Sequence, residues 1–226
     1  MNEPEAIKVV LVGESGVGQT SIISRFTEHT FNPLQPSSAG AQYSSKTVEF
    51  QDLGKTVKFD IWNTVGKERY RPLAEIFYRD AKAIVFVYDI TNADSFEELK
   101  KFWYEETKSK SIGIPLLTVA ANKIDLYNDQ KVSNNEGMAF AEEIGAIFQT
   151  TSALSNFGIS TLFDNIGKTY LLPGFDYREI DKKEQKEVLK KKQEEDNKNE
   201  KKKREKRAIK LDNWKTEEKK EKKKCL

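Results

Sequence analysis

A glycine-rich loop near the N-terminus lies between a strand-like run and a helix-like segment. Residues 7–12 are mainly apolar and long enough for one strand, and apolar residues recur with helical period over 19–26. The loop between them consists of Gly13, Glu14, Ser15, Gly16, Val17, Gly18, Gln19 and Thr20. Its glycines allow backbone N–H groups to turn inward around an anion at the N-terminus of a helix. The pattern therefore predicts a phosphate-binding loop.

Two positions of this loop bear on how well it holds phosphate. Thr20 stands where a hydroxyl group would ligate Mg²⁺, but Gln19 stands where the pattern requires lysine. A glycine loop without that lysine also fits a tight strand-to-helix turn that binds nothing. Further segments of the chain have to decide between the two interpretations.

Strand-like and helix-like segments alternate through the first three quarters of the chain. Apolar runs of strand length cover residues 7–12, 58–62, 83–89, 116–122 and 147–151. Helical periodicity covers residues 19–26, 95–110, 134–144 and 159–171. Asp94 and Ser133 are candidate N-caps, and Gly145 is a candidate C-terminal stop. The alternation predicts an α/β fold with a doubly wound sheet.

One pair of strands is predicted to be antiparallel. Residues 43–50 and 56–62 flank the turn-forming segment 52–55, which contains Asp52 and Gly54. This spacing is typical of a hairpin. The sheet should therefore have one antiparallel edge strand.

Two polar segments follow later strands, and both predict contacts to a nucleotide base. They contain Asn122, Lys123 and Asp125 in the first case, and Thr151, Ser152 and Ala153 in the second. Ligands of a doubly wound sheet bind at the carboxyl ends of its strands, so both segments fall on the same rim as the phosphate loop. Asp125 can accept hydrogen bonds from N1–H and the 2-amino group of guanine, which adenine cannot offer. The three segments together predict bound GTP or GDP.

With these motifs the chain resembles a Rab-type small GTPase over about residues 6–173. The resemblance runs without a gap through residues 62–70 and includes the segments 77–81 and 87–96. It implies a P-loop domain whose six-stranded, mostly parallel sheet carries five helices. It also implies two loops, about residues 30–41 and 64–78, that differ between the GTP and GDP states and form the surface recognised by protein effectors.

The resemblance further implies roles for individual residues. Phosphate contacts fall on the glycine-rich loop with Ser21 and Gly66, and metal contacts fall on Thr20, Ser38 and Asn63. Base contacts fall on Phe31, Asn122, Lys123, Asp125, Ser152, Ala153 and Leu154. The aromatic positions of the effector surface are Tyr43, Trp62 and Phe77, for which ordinary core packing is an equally good interpretation.

Four residues depart from the family pattern, and all belong to the phosphate end of the site. Gln19 replaces a lysine, Ser38 a threonine, Asn63 an aspartate, and Lys67 a glutamine that orients water. Asn63 brings no charge to a metal, whereas Ser38 keeps a hydroxyl group, so the Mg²⁺ site should be weakened rather than removed. A protonated Lys67 cannot accept a hydrogen bond from the attacking water, so we expect slow or absent hydrolysis. Lys67 either pairs with the terminal phosphate or marks a site that no longer works.

The distribution of charge divides the chain into two parts. Residues 1–175 contain 17 Lys and Arg against 22 Asp and Glu, whereas residues 176–226 contain 21 against 14. We therefore predict one small GTPase domain over residues 1–175 and a Lys- and Glu-rich helical tail over residues 176–226. Carboxylate-to-basic pairs spaced four residues apart support a solvated helix in the tail.

The tail offers two candidate means of attachment. Basic clusters at residues 201–207 and 219–224 could meet an anionic membrane or an acidic protein surface such as a microtubule, or could simply be solvated. Nucleic acid is least favoured, because the clusters have no interleaved aromatic residues. Cys225, the single cysteine, is penultimate and matches neither prenylation ending of the family, yet it is a candidate lipidation site.

We expect a cytoplasmic protein that associates peripherally with a membrane or the cytoskeleton. One cysteine excludes an internal disulfide, no run approaches the roughly 20 apolar residues of a membrane span, and the N-terminus shows no signal peptide. The sequence predicts a Rab-like GTP-binding switch of intracellular traffic with weak or absent hydrolysis. The alternative is a nucleotide-locked or pseudo-GTPase subunit docked by its basic tail on a cytoskeletal or other large assembly.

Overall fold

The fold is built on a six-stranded sheet with the strand order β2-β3-β1-β4-β5-β6. The computed structural model describes residues 4–35, 40–64, 74–111, 113 and 115–172. The strands are β1 (Glu5–Val12), β2 (Gln42–Phe50), β3 (Lys55–Asn63), β4 (Ala83–Asp89), β5 (Leu116–Asn122) and β6 (Ile147–Thr150). All neighbouring pairs are parallel except β2 and β3. The predicted α/β sheet and its single antiparallel edge strand are confirmed.

Helices cover both faces of this sheet. They are α1 (Gln19–Glu28), α2 (Ala74–Tyr78), α3 (Ala93–Glu98), α4 (Glu105–Lys110), α5 (Asn134–Glu143) and α6 (Ile159–Leu171). A π-helical turn, Leu99–Tyr104, joins α3 to α4 without a break. Counted with residues 93–110 as one helix, the described part of the chain has five helices, as the resemblance implies.

Two separate apolar layers hold the helices against the sheet. Because strand side chains alternate between faces, Val9 and Leu11 pack into one layer, with α1 and α6, whereas Val10 and Val12 pack into the other, with α3 and α5. The central strand β4 is buried along its whole length. Burial on both faces is typical of a parallel strand covered by helices, and it leaves the strand ends as the place for polar groups.

The helix termini agree with the sequence at two positions and differ at one. Ser133 caps α5 in a capping box with Glu136, and Gly145, just beyond the C-cap of α5, has a left-handed φ of 67°. The prediction of Asp94 as an N-cap is wrong, because the Asn92 side chain caps α3 by accepting a hydrogen bond from the Asp94 backbone N–H. Asn92 has extended backbone geometry and ends the preceding turn, so the helix begins two residues earlier than the periodicity suggests.

The hairpin turn is a short 3-10 segment rather than a simple four-residue turn. It covers Gln51–Leu53, and Gly54 then has a φ of 59°, which brings the chain back into β3. β3 consequently begins at Lys55, earlier than predicted.

Several predicted features lie outside the described residues. They are Ser38, Gly66, Lys67, Cys225 and the whole tail, residues 176–226, so the domain boundary at residue 175 stays a prediction. Within the described residues, no helix is long and apolar enough to cross a membrane.

Candidate nucleotide-binding site

The polar segments singled out in the sequence meet at one edge of the sheet. Leu11 at the end of β1 is in register with Asn63 at the end of β3, and Asp89 at the end of β4 is in register with Asn122 at the end of β5. The segment after β6 adjoins the end of β5, where Ile124 N–H donates to the Thr151 carbonyl. Parallel strands thus bring the phosphate loop, Asn63 and both predicted base segments to a common rim.

Two glycines of the phosphate loop stand where no other residue fits. Gly13 has a φ of 149°, and a Cβ there would lie 2.2 Å from the Val87 carbonyl oxygen. Gly18 has a φ of 102°, and a Cβ there would lie 2.4 Å from Asn122 Nδ2. The loop therefore packs tightly against β4 and β5 before entering α1, and this close approach explains why these positions are glycine.

Gln19 is buried inside the loop, with 6% of its surface exposed. Its Nε2 donates a hydrogen bond of 3.4 Å to the carbonyl oxygen of Gly13, the first residue of the loop. The side chain at the lysine position of the pattern is thus a neutral amide bonded to its own loop. It brings no positive charge to an anion.

Asn63 and Thr20, the two described residues of the predicted metal site, are bonded to each other. Asn63 Nδ2 donates to Thr20 Oγ1 at 2.7 Å, and Asn63 is only 2% exposed. Among the described residues, Asn63 Oδ1 is buried without a hydrogen-bond partner. Next to it, Thr64 Oγ1 donates to the Leu11 carbonyl at 2.9 Å and holds the end of β3 against β1. A donor amide thus occupies the position at which the family pattern has an acidic acceptor.

Asn122 joins the base end of the site to the phosphate loop. Its Nδ2 donates to the Val17 carbonyl at 2.8 Å, and its Oδ1 accepts from Thr151 Oγ1 at 3.1 Å. Asn122 is fully buried, so both hydrogen bonds are shielded from water. One side chain therefore fixes three segments relative to each other.

Asp125 is held by the second base segment. The Ser152 hydroxyl donates to Asp125 Oδ1, and Ser152 Oγ in turn accepts from the Ser155 backbone N–H at 3.0 Å. Asp125 thereby has a defined orientation. A carboxylate held in this way is suited to accept two N–H groups of a guanine ring.

Lys123 lies between Asn122 and Asp125, and the chain turns at this residue. It has a left-handed φ of 66°, and its Nζ forms a salt bridge of 2.6 Å with Asp89 Oδ2. Asp89 Oδ1 accepts from the backbone N–H and the hydroxyl of Thr91. Asp89 was not predicted as part of this rim. Its position at the end of a predicted strand could have indicated it, because polar residues at strand ends adjoin the ligand site of such a sheet.

The remaining predicted base residues lie around the end of α1. Phe31 is half-buried and packs against the core, Ala153 is buried, and Leu154 is 53% exposed. Arg25 contacts all three of these positions and was missed in the sequence. Its only sequence signal is a basic residue in the last turn of α1.

The three aromatic residues of the predicted effector surface form one row. Ring centroids are 5.1 Å apart for Tyr43 and Trp62, and 5.9 Å apart for Trp62 and Phe77. Tyr43 is 49% exposed, whereas Trp62 and Phe77 are half-buried against the core. The row therefore has an exposed end and a packed end, and the effector role of these residues stays a prediction.

A contact from the π-helical turn also reaches the phosphate loop. Trp103 Nε1 donates to Glu14 Oε1 at 3.0 Å. Residues 95–110 were predicted only as a helix, and nothing in the local pattern indicates this bond. Glu14 thus links the phosphate loop to the π-helical turn between α3 and α4.

A model of the Ras family matches residues 8–172. Ras-related protein Rab-5A of Dictyostelium discoideum is 41% identical over 161 residues, which cover 71% of this chain and 79% of that protein. Ras-related protein Rab5A of Oryza sativa subsp. japonica is 38% identical over 170 residues, covering 75% and 82%. Ras-related protein RabC of Dictyostelium discoideum is 35% identical over 164 residues, covering 73% and 83%.

The comparisons agree with the motifs at the strand ends. The family match spans most of the chain, and these relatives exceed one-third identity over about four-fifths of their own length. The chain therefore belongs to the Ras family and is a Rab-type small GTPase.

Proposed function

We propose that this protein is a guanine-nucleotide-dependent interaction switch of intracellular traffic whose GTP hydrolysis is weak or absent. The observation that carries the proposal is the hydrogen bond from the Asn63 amide to the Thr20 hydroxyl. It occupies the metal end of the site with a neutral donor, while the base end keeps a complete set of family residues.

The base end fits guanine. Asp125 is oriented by Ser152, and Asn122 fixes the phosphate loop and the segment after β6 in place. Asp125 is exposed in the structure, and if a bound base buried it without offering two N–H donors, the unpaired carboxylate would cost about 1–3 kcal/mol. Family membership implies a guanine nucleotide, and these contacts support it.

The phosphate end fits the nucleotide less well. A lysine at position 19 would add a charge-assisted contact worth about 1.5–3 kcal/mol, or roughly 10- to 150-fold in affinity. Gln19 cannot supply that contact, and it is bonded to Gly13 instead. We therefore expect binding that is weaker than in a relative with lysine, but not abolished.

The metal end fits Mg²⁺ poorly. Bound Mg²⁺ would neutralise charge on the β- and γ-phosphates, with the Thr20 hydroxyl as the residue to hold it. Here the Thr20 oxygen accepts from Asn63, and the amide adds no negative charge. Both features favour nucleotide binding with little dependence on Mg²⁺.

Lys67, which lies outside the described residues, supplies the second half of the proposal. Its ammonium group adds positive charge to a site that lacks the lysine of the loop, and we propose that it pairs with terminal phosphate. Lysine has donors only, so it cannot take the place of a glutamine that orients water. Nucleotide would then persist while its hydrolysis stays slow.

The proposed interactions use two surfaces. The aromatic row of Tyr43, Trp62 and Phe77 supports recognition by a protein effector. The basic tail is proposed to meet an anionic membrane or an acidic protein surface, with lipid on Cys225 as a further anchor, in the cytoplasm. Traffic is proposed because the relatives carry Rab names.

The first experiment identifies the nucleotide that purified full-length protein releases on denaturation. We expect GTP or GDP, retained after EDTA treatment. Rapid loss in EDTA would contradict the proposed independence from Mg²⁺. No bound nucleotide, together with no binding of added GDP, would contradict the switch and favour the pseudo-GTPase subunit.

The second experiment restores the family residues. Q19K should raise GTP affinity roughly 10- to 150-fold, because it returns a charge-assisted contact. Q51K makes the same charge change in the exposed hairpin turn and should leave the affinity unchanged. The triple variant Q19K/N63D/K67Q should hydrolyse GTP faster than the wild type, and equal rates would overturn the claim of weak hydrolysis.

A further inference from the structure

We propose that Arg25 is a positioning residue for the guanine base, acting through the loop that follows β6. The inference rests on the proposed binding of guanine nucleotide, and it assigns Arg25 no contact with the nucleotide itself. Arg25 lies in the last turn of α1, far in sequence from the loop it holds.

The guanidinium group of Arg25 donates hydrogen bonds to two consecutive backbone carbonyls of this loop. Nε donates to the Ala153 carbonyl at 2.8 Å, and Nη2 donates to the Leu154 carbonyl at 3.2 Å. The planar, rigid set of donors in arginine matches such a pair, whereas an ammonium group is a single point of charge. The backbone at residues 153–154 is thus fixed relative to α1.

The same guanidinium group also fixes the other side of the predicted base site. Nη1 donates to the His29 carbonyl at the end of α1 at 2.9 Å, and the central carbon lies 5.6 Å from the centroid of the Phe31 ring. This distance is within the range of a cation–π contact. One cation therefore holds Phe31 and the loop after β6, two elements that both belong to the predicted base site.

Hydrogen bonds carry the position of this loop to Asp125. Ser152 comes directly before residues 153–154, and its hydroxyl donates to Asp125. Ser155 comes directly after them, and its backbone N–H donates to Ser152 Oγ. A shift of residues 153–154 would therefore move the hydroxyl that orients the Asp125 carboxylate. Because this carboxylate is the group predicted to pair with the 2-amino group of guanine, Arg25 should influence how well the site distinguishes guanine from hypoxanthine.

The test measures the dissociation rates of GDP and IDP from the full-length protein and its R25Q variant. IDP lacks the 2-amino group. R25Q should release GDP about 10-fold faster, as expected for losing charge-assisted hydrogen bonds, and should reduce the ratio of IDP to GDP dissociation rates by about threefold or more. R25K keeps the charge and can reach one carbonyl, so its ratio should fall between those of the wild type and R25Q.

R79Q is the matched control. Arg79 is exposed beyond α2, so this variant makes the same charge change away from the base segments and should keep the wild-type ratio. Equal acceleration of GDP and IDP release by R25Q, with the ratio unchanged, would show that Arg25 serves only the stability of the fold and would overturn the inference.

A second measurement does not depend on nucleotide. Hydrogen exchange of the amides at residues 153–155 in nucleotide-free protein should be faster in R25K and R25Q than in R79Q, and unchanged exchange would also overturn the inference. The wild type separates the two proposals. If it binds neither GDP nor IDP, the proposed function fails. If it binds GDP and R25Q leaves the ratio of IDP to GDP dissociation rates unchanged, only the role of Arg25 fails.

Discussion

Asn122 Nδ2 lies directly against the backbone of Gly18, so close that a Cβ on Gly18 would be 2.4 Å from it. The same nitrogen donates to the Val17 carbonyl. The residue that begins the predicted base end thus also supports the last turn of the phosphate loop. The predicted phosphate and base segments are therefore directly bonded to each other.

Substitution of Gly18 by alanine should disrupt this connection. The variant combines a positive φ of 102° with a steric clash against buried Asn122. We expect about 1–2 kcal/mol of loss from the backbone conformation and a further 1–3 kcal/mol from overpacking, as measured by urea denaturation without nucleotide. G16A and G54A are controls, because these glycines also have positive φ but have open space around their Cβ positions. Equal losses in all three variants would contradict the proposed clash.

The variant N63D should make nucleotide release sensitive to Mg²⁺. Aspartate cannot donate to Thr20, so the variant removes this hydrogen bond and adds a negative charge at the buried end of β3. We expect the ratio of GDP dissociation rates in EDTA and in Mg²⁺ to increase about 10-fold. N135D, which adds the same charge on the exposed surface of α5, should retain the wild-type ratio. An unchanged ratio in N63D would show that Asn63 is not what weakens the metal site.

The variant K8M should loosen the end of α2. Lys8 Nζ donates to the Ile76 carbonyl at 3.2 Å and to the Arg79 carbonyl at 2.7 Å, so one ammonium group holds the C-terminal end of this short helix against β1. Burial lowers the pKa of Lys8, in keeping with a partly desolvated cation. Methionine keeps the apolar stem near Trp62 but cannot donate.

We expect K8M to lower the free energy of unfolding by about 1–3 kcal/mol and to speed hydrogen exchange at residues 76–80. K82M removes an exposed lysine next to β4 and should change neither quantity. Slow exchange at residues 76–80 in K8M would show that packing alone holds α2.

The capping box of α5 should make its stability depend on acid pH. The Glu136 carboxylate accepts from the Ser133 hydroxyl at 2.7 Å and from the Ser133 backbone N–H at 2.8 Å. These hydrogen bonds lower the pKa of Glu136 in the folded protein. Its contribution is therefore fully present above the pKa of the unfolded chain and is lost as pH falls through the folded pKa.

An NMR titration of the Glu136 side chain measures this effect. S133A should move the pKa of Glu136 upward, toward its ordinary value, because the larger of the two contributions is removed. E136Q should remove the corresponding acid-dependent loss of stability, whereas E142Q, at an exposed site in the last turn of the same helix, should retain it. A Glu136 pKa that does not change in S133A would contradict the assignment.

Local patterns in the chain were enough to predict the fold class and the rim at which the motif segments meet. Strand and helix periodicity come from neighbouring residues, and the rule that ligands bind at the carboxyl ends of parallel strands then brings the loop at residues 13–20 and Asn122 to one rim. The cap at Ser133 was also predictable, because both of its partners lie within one helical turn. The misassigned Asp94 shows the limit of such signals, since Asn92 and Asp94 both suit a helix start.

The amino-acid sequence was sufficient to predict the order of strands and helices, the candidate guanine-binding residues and the four departures at the phosphate end. Two contacts became visible only in the folded chain: Asn63 donates to Thr20, and Arg25 donates to the carbonyls of Ala153 and Leu154. The same is true of the bond from Trp103 to Glu14. These partners are 43 to 129 residues apart in the sequence. They meet because of how the helices pack on the sheet, and the local sequence around each residue carries no information about its partner.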